Sequence, residues 1–279
     1  MPYVGLDCAM LTGPTAAAFD RIASGEIGFD QTLEHLTGAG GDDSVVYSMI
    51  EPKGSAETWL QTTTLLDCVT KSANNALPAQ IAQIDGGVLG EQMMKQTECY
   101  INTCKLSCEI GGAVKAAYDW LALGMTASAV TTAAEAKAKN LMLLWHGATT
   151  EVDGVTFSCQ SWEATVENGL KLHTSLDEKA AGMERFPEAI TPGNQKVSLT
   201  AEFKAAPTVD FLVAIPDTVT FAFSAVNTEG SPKTFLLTVG ALHPVGMPVK
   251  IAAGEDEVTW SMDLEADYND LTAFNYSLG

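Results

Sequence analysis

Long stretches of this chain alternate apolar and polar residues with a period of two, which is the signature of half-buried β-strands. The cleanest case lies near the C-terminus. Val258, Trp260, Met262, Leu264 and Ala266 share one face, while Glu257, Thr259, Ser261, Asp263 and Glu265 share the other. Val197, Leu199, Ala201 and Phe203 alternate in the same way with Lys196, Ser198, Thr200 and Glu202. From Tyr100 to Ile110 the even positions read Tyr, Asn, Cys, Leu, Cys, Ile and the odd ones Ile, Thr, Lys, Ser, Glu. Gly111-Gly112 then makes a turn or bulge, and Val114, Ala116, Tyr118 and Trp120 resume the apolar side, so a β-hairpin is the simplest reading.

Other segments break the pattern. Residues 1–49 read as an N-terminal arm with scattered Gly and Pro, a short helix near Thr15 to Ile22 capped by Thr12 or Thr15, and a closing loop at Gly38–Asp43. Residues 72–96 read as a long connection, marked by Asn74-Asn75, Pro78 and Gly86-Gly87. Residues 126–140 are rich in Ala, Glu and Lys and predict a helix, followed by an apolar strand from Leu141 to Trp145.

Two stretches look like worn copies of one β-unit. One runs from Ile50-Glu51-Pro52-Lys53-Gly54 through a Thr-rich strand to Tyr100–Glu109. The other holds Phe157–Val166 and then Ile190-Thr191-Pro192-Gly193 with a further strand behind it. The organisation expected is therefore an arm (1–49), a first β-unit (50–150) with the 72–96 loop inside it, and a second β-unit (151–279). The fold class expected is all-β, with one or two short helices. A duplicated β-unit points to a building block.

Charge narrows the function. Thirty-five acids face fifteen bases, a net of −20, and only Arg21 and Arg185 are arginines. Nucleic-acid readers neutralise phosphates with Lys and Arg, so that class is disfavoured, and so is an anionic membrane surface. The acid excess serves either solubility or a surface that must not stick to a polyanion. No apolar run reaches the roughly 18–20 residues of a membrane helix; Ala113–Ala136 comes closest, interrupted by Lys115, Asp119 and Glu135. The start of the chain has no basic region ahead of an apolar run, so reduced thiols made in a cytosol are expected.

No residue set carries chemistry. Cys99, Cys104 and Cys108 are spaced too widely for a C-x-x-C zinc pair, and Cys104 and Cys108 fall on the apolar side of their strand, where core packing is the favoured reading over metal binding. His35, His146, His173 and His243 form no H-E-x-x-H arrangement, and no nucleophile elbow or phosphate loop occurs. The five tryptophans, Trp59, Trp120, Trp145, Trp162 and Trp260, sit mostly on alternating strand positions beside aliphatic residues, which favours core or subunit packing over a sugar-stacking platform. No enzyme, cofactor or metal is expected.

Five passages, in order, resemble the tail tube proteins of long-tailed phages and archaeal tailed viruses. They are Tyr100–Gly112, the returning strand Ala113–Trp120, Phe157–Leu170 with its Val166-Glu167-Asn168-Gly169-Leu170 end, Ile190–Thr200, and Glu257–Asp270. The likeness runs from about residue 45 to the end. It rests on the order and spacing of β-segments. It implies a β-sandwich subunit made in the host cytoplasm and built into the virion tail. Six copies would form a ring whose inner strands join into one barrel, and rings would stack into a hollow tube. The likeness implies partners as well: a tape-measure protein in the bore, tail-terminator or baseplate proteins at its ends, and genomic DNA passing through without specific binding. Six copies at −20 carry about −120 per ring. Glu163, Glu167, Glu257, Asp263 and Glu265 are the acidic candidates for the lumen; the competing reading places them on the outer surface. Residues 1–49 and 72–96 are candidates for ring-to-ring contact. The rival functions are a baseplate-hub or secretion-system tube protein on a related fold, and a glycan-binding β-sandwich or adhesin module.

Overall fold

A computed structural model describes residues 8–12, 17–18, 21–31, 33–37, 43–47, 49–72, 75–88, 92–129, 142–174, 185–204, 217–227, 233–246, 248–251, 258–270 and 272–279. The main strands are β1 (Cys8–Thr12), β2 (Arg21–Asp30), β3 (Glu51–Trp59), β4 (Ile81–Val88), β5 (Gln92–Glu109), β6 (Lys115–Ala129) and β7 (Thr149–Val152) in the first part of the chain. They continue as β8 (Cys159–Glu167), β9 (Lys196–Phe203), β10 (Val219–Val226), β11 (Thr234–Gly246), β12 (Val249–Ile251), β13 (Val258–Ala266) and β14 (Phe274–Leu278). The protein is all-β. Its helical content among the described residues is one 3-10 turn, Leu66–Cys68.

All pairings between these strands are antiparallel. The main path runs β2-β3-β6-β5-β8-β9-β13-β11-β10-β7. β5 and β6 form the long hairpin, with Gly111 at φ 79° in its turn. The two halves of the chain meet where β5 pairs with β8, from Thr103 opposite Glu167 to Glu109 opposite Ser161. β11 turns the corner: Leu242–Gly246 pairs with β13, while Thr234–Leu242 pairs with β10. The layer β7-β10-β11-β14 thereby folds back over the main sheet.

Alternation explains what lies between the layers. Trp260, Met262, Leu264 and Ala266 of β13 are buried, as are Val197, Leu199, Ala201 and Phe203 of β9. Phe203 stacks on Trp260 with ring centroids 4.9 Å apart, and Trp162 of β8 meets Phe223 of β10 at 4.7 Å. One hydrophobic cluster runs from Ala56 on β3 to Phe274 on β14, so both halves share a single core.

Five expectations need correction. Ala17–Ala18 and the residues from Arg21 onward are strands, not a helix. Their weak helix preference gives way to pairing, with Arg21 and Ile22 laddered against Trp59 and Thr58. Likewise Thr126–Ala129 continue β6, opposite Lys95–Gln92, while 130–140 lie outside the described residues. Leu144 makes only a single bridge to Ala113, not a strand. Residues 72–96 are largely strand: β4 pairs with both β1 and β5. Gly86, which reads as a loop signal, instead permits close packing, since a Cβ there would lie 2.6 Å from Ile27 Cγ2. The arm residues 21–30 are edge strand β2 on the main sheet. Of the expected Gly38–Asp43 loop, residues 38–42 lie outside those described, and Asp43 is strand, paired with Thr37.

The even-odd reading of residues 100–110 holds only in part. Cys104, Leu106 and Cys108 are buried, but a bulge at Asn102 shifts the phase, so upstream it is Cys99 and Ile101 that face inward. Ile110 is exposed.

Candidate functional site

The side of the main sheet away from the core is polar across seven strands, and its composition follows cross-strand register. One row reads Glu265, Ser198, Thr165, Lys105, Ala117, Glu57, Ser24. The next reads Asp263, Thr200, Glu163, Ser107, Lys115. A third, on the other side of the first, reads Lys196, Glu167, Thr103, Asp119, Ser55, Glu26. Ser261, Glu202, Ser161 and Glu109 extend it at one end, and Asp30, Glu51 and Lys53 at the far corner. Eleven carboxylates stand in these rows against four lysines.

The structure thus brings Glu163, Glu167, Asp263 and Glu265 onto one surface. Glu257, the fifth acidic candidate, lies outside the described residues. The lysines sit among the acids rather than apart from them. Lys105 Nζ reaches Glu163 at 3.2 Å, Lys196 reaches Glu265 at 2.7 Å, and Lys115 reaches Glu57 at 2.8 Å; Lys53 pairs with Asp30. Hydrogen bonds to Asp30, Glu57 and Glu265 raise the pKa of Lys53, Lys115 and Lys196, so all three stay charged well above neutrality. These pairs are about half exposed, and such pairs contribute about 0–1 kcal/mol each. Their effect is on the local field more than on stability. Thr200 Oγ1 donates to Asp263 Oδ1 at 3.1 Å, and His243, opposite Glu265, lies 3.5 Å from Asp267.

The opposite side of the same strands is the core. Cys104, Cys108, Trp120, Trp162 and Trp260 are all buried there. Burial pushes the Cys99 thiol up to about 12, Cys108 to about 11 and Cys159 to about 12, and raises Cys104 as well. Thiols held neutral are poor nucleophiles and poor metal ligands. Among the described residues no group of three His, Cys, Asp or Glu converges as a metal site would need.

Two buried polar networks, which sequence reasoning missed, hold this surface in shape. Trp120 Nε1 donates to Gln96 Oε1 at 2.7 Å, and Gln96 Nε2 donates to Gly28 O and Lys53 O, so one glutamine ties β5 and β6 to β2 and β3. Gly54 lies beneath Trp120, where a Cβ would sit 2.3 Å from the indole. At the end of β8, fully buried Asn168 donates through Nδ2 to Val69 O at 2.7 Å and Ile101 O at 2.9 Å. Its Oδ1 accepts from Gln195 Nε2 at 2.8 Å. Asn102, at the bulge, accepts from Leu170 N at 2.7 Å, and Asn269 accepts from Gln195 N at 2.8 Å. A Val-Glu-Asn-Gly-Leu turn signal marks Asn168 in the sequence, but its partners lie 27 to 99 residues away.

No curated protein gives a significant match to the chain. A family model described as phage tail tube protein matches residues 69–273.

Proposed function

Because the chain belongs to the phage tail tube protein family, we propose that it is the structural subunit of a viral tail tube, with the acidic sheet face lining the bore. Copies close into rings and rings stack into a hollow cylinder; the family likeness implies six copies per ring. Genomic DNA passes through during infection. A tape-measure protein inside and terminator or baseplate proteins at the ends are the partners this implies, and no catalysis or cofactor is involved.

The polar face is the observation that carries this reading. It is wide, continuous and negatively charged. A wall with such a face repels phosphates within a Debye length of about 8 Å at physiological salt. DNA is then guided without being held. The edge of β2 supports assembly as well: among the described residues it pairs with β3 alone, and an open edge invites a neighbouring strand. Against the glycan-binding alternative, Trp120, Trp162 and Trp260 are buried and so cannot stack on a sugar, which leaves the exposed Trp145 without them as partners in a stacking platform.

Negative-stain microscopy of concentrated purified protein tests the proposal. Hollow rods of uniform width are expected. Particles that stay monomeric at the highest attainable concentration would overturn it.

A further inference from the structure

Where the folded-back layer meets the main sheet, at the start of β8, the packing leaves a cavity of about 180 Å³. We propose that this cavity is a binding site for a small neutral aromatic molecule carrying a hydrogen-bond acceptor, such as an aryl ketone. It lies on the core side of β5 and β8, away from the acidic face, and so stands apart from the tube reading.

The walls come from both layers. Cys108 of β5 and Trp162 of β8 line the cavity from the main sheet, and Thr150 of β7 and Phe223 of β10 line it from the other layer; all four are buried. Trp145, Thr149, Thr156 and Ser158 also line it and are exposed, so the cavity opens to solvent on their side. Trp145 is fixed at this mouth by its backbone N–H, which donates to Gly112 O at 2.9 Å, and by Ala148 N, which donates to Trp145 O at 2.9 Å.

Three features select the occupant. Volume is the first. An apolar cavity of about 150 Å³ holds one benzene, so this one has room for a single ring with a short substituent. Charge is the second. Although the chain carries a net charge of −20, no Asp, Glu, Lys, Arg or His lines the cavity among the described residues. Burial keeps the Cys108 and Cys159 thiols neutral, with pKa values pushed up to about 11 and about 12. An ion entering here loses its hydration and gains no countercharge, which favours a neutral ligand. Hydrogen bonding is the third. Cys159 Sγ donates to Ser161 O at 3.2 Å, and the Thr150 hydroxyl bonds to Cys159, so these groups are already engaged. Trp162 Nε1 is buried and meets no acceptor. A buried donor left without a partner is costly, and an oxygen on the ligand would satisfy it. The rings of Trp145, Phe157 and Phe223 supply aromatic walls for the ligand's ring. Because the walls belong to different layers, an occupant ties β5 and β8 to β7 and β10, and binding to the folded state alone raises Tm.

Saturation-transfer NMR and thermal denaturation of the full chain test the site with two probes: acetophenone, and ethylbenzene, which keeps the ring and lacks the oxygen. Both should bind at one per chain and raise Tm, acetophenone about tenfold more tightly, as one buried hydrogen bond requires. Trp162→Phe keeps a ring and removes the N–H, and should bring the two affinities to within about twofold of each other. Thr156→Trp, at the exposed mouth, should keep the wild-type circular dichroism spectrum and lose both probes, and it decides the matter even if Trp162→Phe fails to fold. Absence of transfer to either probe, equal affinity of the wild type for both, or unchanged binding to Thr156→Trp would overturn the assignment. Rod formation is unaffected by any of these results, so a failure here and a failure of the tube reading are distinguishable.

Discussion

Replacing Asn168 with alanine is expected to unfold the subunit more readily than any exposed substitution, for reasons that can be worked from three hydrogen bonds. The side chain is fully buried and serves Val69 O, Ile101 O and Gln195 Nε2 at 2.7–2.9 Å. Alanine removes all three bonds and supplies no substitute. Each buried group left short of a partner costs about 1–3 kcal/mol, and Gln195 can reorient only within a site where it is itself buried. A total of about 3–5 kcal/mol follows. For 279 residues the unfolding entropy is about 0.6 kcal/mol/K, so the same loss lowers Tm by about 5–8 °C. Urea titration followed by tryptophan fluorescence measures it directly, using subunits kept below the assembly concentration. Asn168→Asp keeps the shape and one acceptor but loses the donor to both carbonyls, so it should be no better at neutral pH. It should recover partly below pH 5, where a protonated carboxyl can donate to one carbonyl. A loss under 1 kcal/mol for Asn168→Ala would refute the view that this network holds the end of β8.

Gly54→Ala forces a methyl to within 2.3 Å of Trp120 and 2.7 Å of Glu26 O, and should cost about 2–3 kcal/mol in the same titration; a neutral effect would show that the indole moves freely. Buried thiols make stability fall in alkali. The unfolded thiols ionise near pH 8.5–9 while the folded ones stay protonated, so the unfolded state holds fewer protons and each thiol subtracts about 1.4 kcal/mol per pH unit above that point. For Cys99, Cys108 and Cys159 the loss runs up to their folded values of about 12, 11 and 12. Flat stability between pH 9 and 11 would contradict this, as would rapid labelling of Cys104 in native protein at pH 8. The triple variant Glu163→Lys, Glu167→Lys, Asp263→Lys should still form rods, since all three side chains project from the polar face. These rods should retain duplex DNA on sedimentation, and lose it as salt rises, while wild-type rods retain none. Equal retention by both would argue that the face is not the bore.

Alternation made much of the main sheet legible. β9 and β13 read directly as one buried and one polar face, because a period of two over eight or more residues has no helical counterpart. The hairpin of β5 and β6 was legible from Gly111-Gly112, and the acids of the polar face were legible as alternating positions. Illegible features all involve partners distant in sequence. The bulge at Asn102 flips the phase of β5 and is fixed by contacts with Leu170 and Asn168, more than sixty residues on. Gly86 reads as part of a connection because its real reason, the methyl of Ile27 against it, lies on another strand. β2 carries Ser24, Gly25 and Gly28 and shows no clean alternation, so only its ladder with β3 reveals it as strand.

The spacing of the acids shows how one sheet can be so negative and still form. Like charges directly opposite on neighbouring strands are destabilising. Across the central rows the direct neighbours of carboxylates are neutral or basic: Glu163 stands between Ser107 and Thr200, Glu202 between Ser161 and Ser261, Asp119 between Thr103 and Ser55, and Glu167 between Thr103 and Lys196. The exception, Asp30 opposite Glu51, has Lys53 paired to Asp30. Acids within a row are therefore two or more strands apart, about 10 Å or beyond, which exceeds the Debye length at physiological salt. Repulsion between them is largely screened along the wall. A long polyanion lying near the wall meets many acids at once, so the repulsion that each pair barely feels adds up along its length. Serine and threonine between the acids thus let the face be built without strain and still be unwelcoming to phosphate. A wall of alternating Asp and Glu on every strand would gain little further repulsion toward DNA and would weaken the sheet that carries it.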